Sequence, residues 1–179
     1  MAKNKNLFRV LLISIFLLCN SFNSNPVRIK IKNIYDHEVG VREKTGRNDG
    51  VMVETYLRYC ALSKGNPWCA SFVCWSFGRA GIPNPKSGYC PDLFTTSHVI
   101  YKRSSKSPNK TPQQGDVWGL YFPEKGRVAH VGFVDDWQDK YVITVEGNTN
   151  EKGSREGDGV YRKRRLIKSI YIVANYIDK

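Results

Sequence analysis

Between residues 51 and 61 the apolar positions Val53, Tyr56, Leu57, Cys60 and Ala61 recur at the spacing of one helical face, so this stretch predicts an amphipathic helix. Asn48, Asp49 and Gly50 supply turn and cap chemistry just before it. Val27, Ile31, Ile34 and Tyr35 also fall at helical spacing, although RIKIK within that segment alternates well enough for a strand. A third helix is expected after Asn66. Asn is a favoured N-cap, Pro67 suits the first helical position, and Gly81 followed by Pro83 is a stop signal. On this reading Trp68 and Cys69 are the second and third helical residues. A short helix starting near Asp92 is expected to carry His98.

The period then changes. GDVWGLYF, AHVGFVDDW, KYVITVEG, GVYRKRR and SIYIVANY are rich in β-branched and aromatic residues and are separated by short turn-like gaps, which predicts an antiparallel meander. The polar connector KRSSKSPNKTPQQ divides the helical half from the strand half. Helices first and strands afterwards make an α+β domain, with N-terminal helices packed on a C-terminal antiparallel sheet. A chain of 179 residues with 41% apolar content has material for one domain with a real core.

Residues 1–21 stand apart as an expected secretory signal: Lys3, Lys5 and Arg9 precede the apolar run VLLISIFLLC, and polar residues follow. The run is short for a membrane span, so no stable membrane insertion is expected after processing. Cys19 raises a lipoprotein alternative, which Leu18 before it fits poorly. Residues 22–33 are read as an N-terminal extension and 34–179 as the catalytic domain. Removing the signal lowers the net charge from +12 to +9, a surplus that favours polyanionic surfaces. Export selects the anionic cell wall or acidic lipid over nucleic acid, and surface lysines equally serve solubility. The expected location is secreted or periplasmic.

Cys60, Cys69, Cys74 and Cys90 remain after the signal. A domain of this size does not need disulfides to fold, and if Cys69 is reactive at least one of the other three is unpaired. Cys74, among Phe72, Val73 and Phe77, fits a core position. Cys69 falls in a first helical turn, where unpartnered N–H groups and the helix dipole favour a thiolate and offer donors to an oxyanion. The other reading is a small hydrophobe facing the core.

A thiol nucleophile needs a base and the base needs an orienting group. Of the three histidines, His130 heads a strand, whereas His37 and His98 occupy places that suggest no role. The next strand offers Glu146 and Asn148. A three-residue loop at Trp137 to Asp139 places His130 directly opposite Glu146, with Asn148 on the same face; a two-residue loop turns Glu146 to the other face. Glu146 as a solvent-facing strand-end carboxylate is the alternative.

VGVREKTGRNDG, NPWCASFVCWSFGRAGIP, GDVWGLYF, HVGFV, VEGNTN and GVYRKRR, in this order, resemble a CHAP domain (cysteine, histidine-dependent amidohydrolase/peptidase) of the NlpC-like and papain-like superfamily, over roughly Ile34 to Tyr176. The resemblance implies a papain-like fold and peptidoglycan hydrolysis by thiol acyl transfer, in a monomer without metal or cofactor. Cys69 is then the nucleophile, His130 the proton carrier, Glu146 its orienter and Asn148 a fourth participant, with the Cys69 N–H in the oxyanion hole. Trp68, Trp118 and Tyr121 are expected either to line the substrate groove or to belong to the core. The scissile bond is the N-acetylmuramoyl-L-alanine amide or a stem-peptide bond, and the basic balance tips toward the former. An inactive wall-binding module, and an antibacterial effector or phage-type lysin, are the competing expectations. No separate wall-binding module is visible, so the basic face at Arg162 to Arg165 either adheres to the wall or is the wet side of an edge strand. The segment Glu151 to Gly157 is expected as a lip of the groove.

Overall fold

The structure, a computed structural model, describes residues 25–106, 110–152 and 156–178. The expected signal segment with Cys19 lies outside them, as do residues 107–109 of the connector and 153–155 of the expected lip. Three helices come first: α1 (Pro26–Glu38), α2 (Val51–Tyr59) and α3 (Cys69–Ala80). Six strands follow: β1 (Val99–Lys102), β2 (Val117–Phe122), β3 (Arg127–Trp137), β4 (Tyr141–Thr149), β5 (Gly159–Leu166) and β6 (Ile172–Ala174). The protein is α+β, with the helices N-terminal to an antiparallel sheet. Among the described residues no helix is long and apolar enough to cross a membrane.

Capping settles the ambiguity of RIKIK in favour of helix. The Asn25 side chain accepts the Val27 N–H at 2.9 Å, Pro26 begins the helix, and Arg28, Ile31 and Tyr35 are buried along one face. The helix runs unbroken across positions 33 and 34, the expected limit of the extension. Val53, Tyr56 and Leu57 of α2 are buried as their spacing predicts. The short helix expected near Asp92 is a 3-10 turn, Cys90–Leu93, opened by Pro91 at its second position and closed before His98, which leads into β1.

Strands β2 to β5 form the expected meander, but β6 does not extend it. The sheet order is β1-β6-β2-β3-β4-β5, with β6 between β1 and β2. All three β6 residues are buried, as suits an interior strand with apolar side chains on both faces. Ile172 and Ala174 join the helix-side core, and Val173 joins a smaller cluster with Trp118, Val134 and Val142 on the far face. The helix-side core centres on Phe133, which stacks on Tyr35 at 4.9 Å and meets Phe72 and Phe77 edge-on.

The β3–β4 register decides where the site residues point. Trp137 pairs with Val142, so the connection is longer than either expected loop, and the Gln138 N–H donates to Tyr141 O. Continued unchanged, that register sets Glu146 opposite Phe133, facing the helices. A bulge at Asp135 intervenes, and beyond it Phe133 pairs with Val145. Glu146 is thereby turned to the face of His130, diagonal to it rather than directly opposite. The bulge is held in place, because the Asp135 carboxylate accepts from Lys32 at 2.7 Å, Tyr35 at 2.9 Å and Arg162 at 3.1 Å.

Candidate active site

The β3–β4 pairing ends at Phe133 and Val145, although both strands continue. The start of α3 packs where the ladder ends. A Cβ on Gly147 would lie 2.6 Å from the Trp68 ring and 2.9 Å from Phe72, so only glycine allows this approach. The Trp68 N–H donates to Asn148 Oδ1 at 3.1 Å, capping α3 from the sheet rather than from its own preceding loop. Asn148 reaches it from a left-handed backbone, φ 55°, and its Nδ2 donates to Asn48 Oδ1 and Gly157 O.

This corrects the expected helix start. Asn66 is not the N-cap, since its amide turns back to Ser63 O at 3.0 Å. Trp68 occupies the cap position and Cys69 is the first helical residue. Cys69 therefore remains in the first turn, with its N–H beyond the intrahelical ladder. Gly81, at φ 82°, ends the helix as expected.

His130 and Glu146 are fully buried and joined by a 2.9 Å hydrogen bond from Nε2 to Oε2. His130 Nδ1 is buried without a partner at ordinary hydrogen-bond distance, and Cys69 is the titratable group that interacts with the ring from the helix side. The Cys69 thiol is held well below its usual range. A hydrogen bond from Cys90 is the largest cause; burial opposes it, and His130 and the Val131 N–H add to it. Burial lowers the His130 pKa, but contact with Cys69 and Glu146 outweighs burial and raises it to about 9. These directions favour a thiolate at Cys69 beside a protonated His130.

Glu146 is more heavily supported than its sequence context suggests. Burial pushes its pKa up, yet hydrogen bonds and charge from Arg165 and His130 hold it at about 2. Arg165 forks onto it at 2.6 and 2.5 Å, and Thr144 Oγ1 donates at 2.5 Å. Other cations of the basic run on β5 also have partners within the protein. Arg162 pairs with Asp36 and Asp135, and Arg164 lies over the Tyr141 ring at 3.6 Å. β5 is an edge strand of the sheet.

A cleft of about 440 Å³ opens at Cys69, lined among others by Asn66, Lys86, Tyr89, Cys90 and Arg127. The aromatic residues expected at the groove lie elsewhere. Trp68 and Trp118 are fully buried, with their indole N–H groups satisfied by Glu43 and Phe133 O respectively. Trp118 instead packs edge-on to His130 at 5.6 Å. Tyr121 packs beside Tyr171 and does not line the cleft. Asn148 does not hydrogen-bond His130; it positions α3. The described ends of the expected lip, Glu151, Lys152, Glu156 and Gly157, line a separate hollow of about 560 Å³ that does not include Cys69.

His98 stacks on Tyr176 at 4.0 Å with Thr95 Oγ1 on its Nδ1, and His37 lies in the last turn of α1. Among the described residues no group of His, Cys, Asp and Glu is arranged to hold a metal ion.

No curated protein and no solved structure matches the chain. Residues 62–148 match the family model of the CHAP domain, a span that starts in the loop before α3, ends at Asn148 and takes in Cys69, His130 and Glu146. It is narrower than the resemblance along the sequence, spanning just under half of the chain, and it is consistent with a CHAP-domain protein.

Proposed function

We propose that this protein is an exported cysteine hydrolase that cleaves an amide bond of bacterial peptidoglycan through a thioester acyl-enzyme. The observation that carries the reading is the Cys69–His130–Glu146 constellation at a helix start within the CHAP match. The Cys69 thiolate attacks the amide carbonyl carbon, and the oxyanion is stabilised by the N–H at the start of α3. His130 gives its Nδ1 proton to the leaving amine, and the C–N bond breaks to leave a thioester. The now neutral imidazole takes a proton from water as that water attacks the thioester. Collapse releases the carboxylic acid and regenerates the thiolate beside the imidazolium. Glu146 keeps Nε2–H fixed throughout, and Arg165 keeps Glu146 ionised.

Lys86 and Arg127 are the charged side chains lining the cleft, and they suit substrates with carboxylates near the scissile bond. Digestion of purified peptidoglycan with mass spectrometry of the products tests the reading. Muramoyl-alanine amidase action, which we favour, gives peptide-free glycan and stems with a new alanine amino terminus. Endopeptidase action leaves shortened stems on muramic acid. No soluble products from several wall types would replace a hydrolase with a wall-binding module.

Replacing His130 with alanine is expected to lower hydrolysis by roughly 10²- to 10⁴-fold. His37→Ala and His98→Ala keep most activity, since neither lines the cleft. Assaying the three variants side by side checks this, and equal losses in all three would contradict the assignment. Activity is also expected to fall as pH rises through about 9, where His130 loses the proton destined for the leaving group. A pH–rate profile still climbing above that point would remove His130 as the acid.

A further inference from the structure

Cys90 has no step in the hydrolytic cycle, yet its Sγ lies 3.6 Å from that of Cys69. Both are free thiols, both are 4% exposed, and both line the same cleft. Cys69 opens α3, and Cys90 opens the 3-10 turn Cys90–Leu93 packed beside it. The sulfurs are in van der Waals contact, so a closure of about 1.5 Å brings them to disulfide length.

We propose that Cys90 is a resolving cysteine, which closes a Cys69–Cys90 disulfide when a small disulfide oxidant enters the cleft and so stores the nucleophile in a latent, reversible form. The latency rests on the reading of Cys69 as the nucleophile; the cross-link itself does not.

The exchange balances in two steps. The Cys69 thiolate attacks one sulfur of R–S–S–R, forming Cys69–S–S–R and releasing R–S⁻. Cys90, after giving its proton to solvent, attacks the Cys69 sulfur and releases the second R–S⁻. Two protein thiols are oxidised to one disulfide, and one small disulfide is reduced to two thiols.

The surroundings set this order. Contact with the Cys69 thiolate, then burial, holds Cys90 protonated, while Arg127 acts in the opposite direction. Capping Cys69 as a mixed disulfide removes its negative charge and leaves Arg127 to favour the Cys90 thiolate. Lys86 and Arg127 in the cleft also suit an anionic oxidant such as oxidised glutathione. Without a neighbour, an oxidised nucleophile stays as a mixed disulfide or climbs toward irreversible acids; a resolving thiol intercepts both fates.

The other two cysteines provide an internal control. Cys60 and Cys74 also interact as a buried pair, but Cys74 is fully buried, and its thiol points to Ser87 O at 3.4 Å. Only Cys60 of that pair lines the cleft.

The test treats the reduced protein with oxidised glutathione, quenches in acid, and maps non-reduced peptides by mass spectrometry. The expected product is a Cys69–Cys90-linked peptide from a protein lighter by two hydrogens. Hydrolysis should fall in proportion to the linked fraction and return with dithiothreitol. In Cys90→Ser the same treatment should leave Cys69 carrying one glutathione. Persistent glutathionylation of Cys69 in the wild type would overturn the proposal, as would a Cys60–Cys74 bond formed while Cys69 and Cys90 remain thiols. A linked peptide formed without any fall in hydrolysis would overturn the latency and, with it, the nucleophile assignment.

Discussion

Cys69→Ser is expected to abolish hydrolysis, by on the order of 10⁴-fold or more. The substitution exchanges sulfur for oxygen at the first residue of α3, where the side chain meets His130 and Cys90. A serine hydroxyl is far less acidic than a thiol, so the same surroundings leave it protonated, and His130 then faces a neutral hydroxyl on the nucleophile side instead of a thiolate. The fold is expected to survive, because the change is nearly isosteric and the Trp68 N–H to Asn148 clamp is untouched. The urea midpoint and m value should stay close to wild type while turnover disappears. Turnover near wild type would sink the mechanism; a collapse of the urea midpoint would make Cys69 a structural residue first.

Arg165→Met is expected to damage stability and activity together. The side chains of Arg165 and Glu146 are 14% and 0% exposed, so removing the guanidinium leaves a buried carboxylate without its bidentate partner. Breaking such a pair destabilises by about 3 kcal/mol. Against the upward push of burial, Arg165 and His130 hold the Glu146 pKa at about 2, below the ordinary carboxylate range. Its contribution to stability is therefore present above the unfolded-state pKa and is lost as pH falls through the folded one. The deficit of Arg165→Met should be full at neutral pH and shrink toward the acid end. Activity should fall as well, because Glu146 drawing a proton no longer fixes the His130 tautomer. Adding Glu146→Gln should restore part of the stability and none of the activity. Denaturant melts at several pH values check this, and a pH-independent deficit would mean that Arg165 acts by packing against Trp118 rather than by charge.

Much of this architecture was legible along the chain, for identifiable reasons. The face formed by Val53, Tyr56 and Leu57, the stop at Gly81, and the change to β-branched segments after the connector are local signals, and local signals survive folding. The grouping of Cys69 with His130 and Glu146 was also legible, because a first-turn thiol and two strand positions of equal parity leave few arrangements. The register was not. It depends on the bulge at Asp135, whose stability comes from Lys32 and Tyr35 about a hundred residues away. Arg165 looked like one of several cations on an edge strand, and only its position against Val142 turns it onto Glu146. Cys90 gave no sign of meeting Cys69, because that contact is made by a loop folding across the start of α3. Asn66 carried a strong cap signal that lost to Asn148, which accepts from Trp68 eighty positions away in the chain.

An ionised Cys69 held by His130 is the centre of the proposed mechanism, and the pH dependence of its alkylation measures that directly. Iodoacetamide is added to the reduced protein between acid and alkaline pH, and labelling is followed at each cysteine by peptide mass spectrometry. The prediction is that Cys69 labels first and remains reactive well below about pH 8.5, the ordinary thiol value, and that this reactivity shifts to higher pH in His130→Ala. Labelling of Cys69 with an ordinary thiol titration, or with a profile unchanged by His130→Ala, would contradict it.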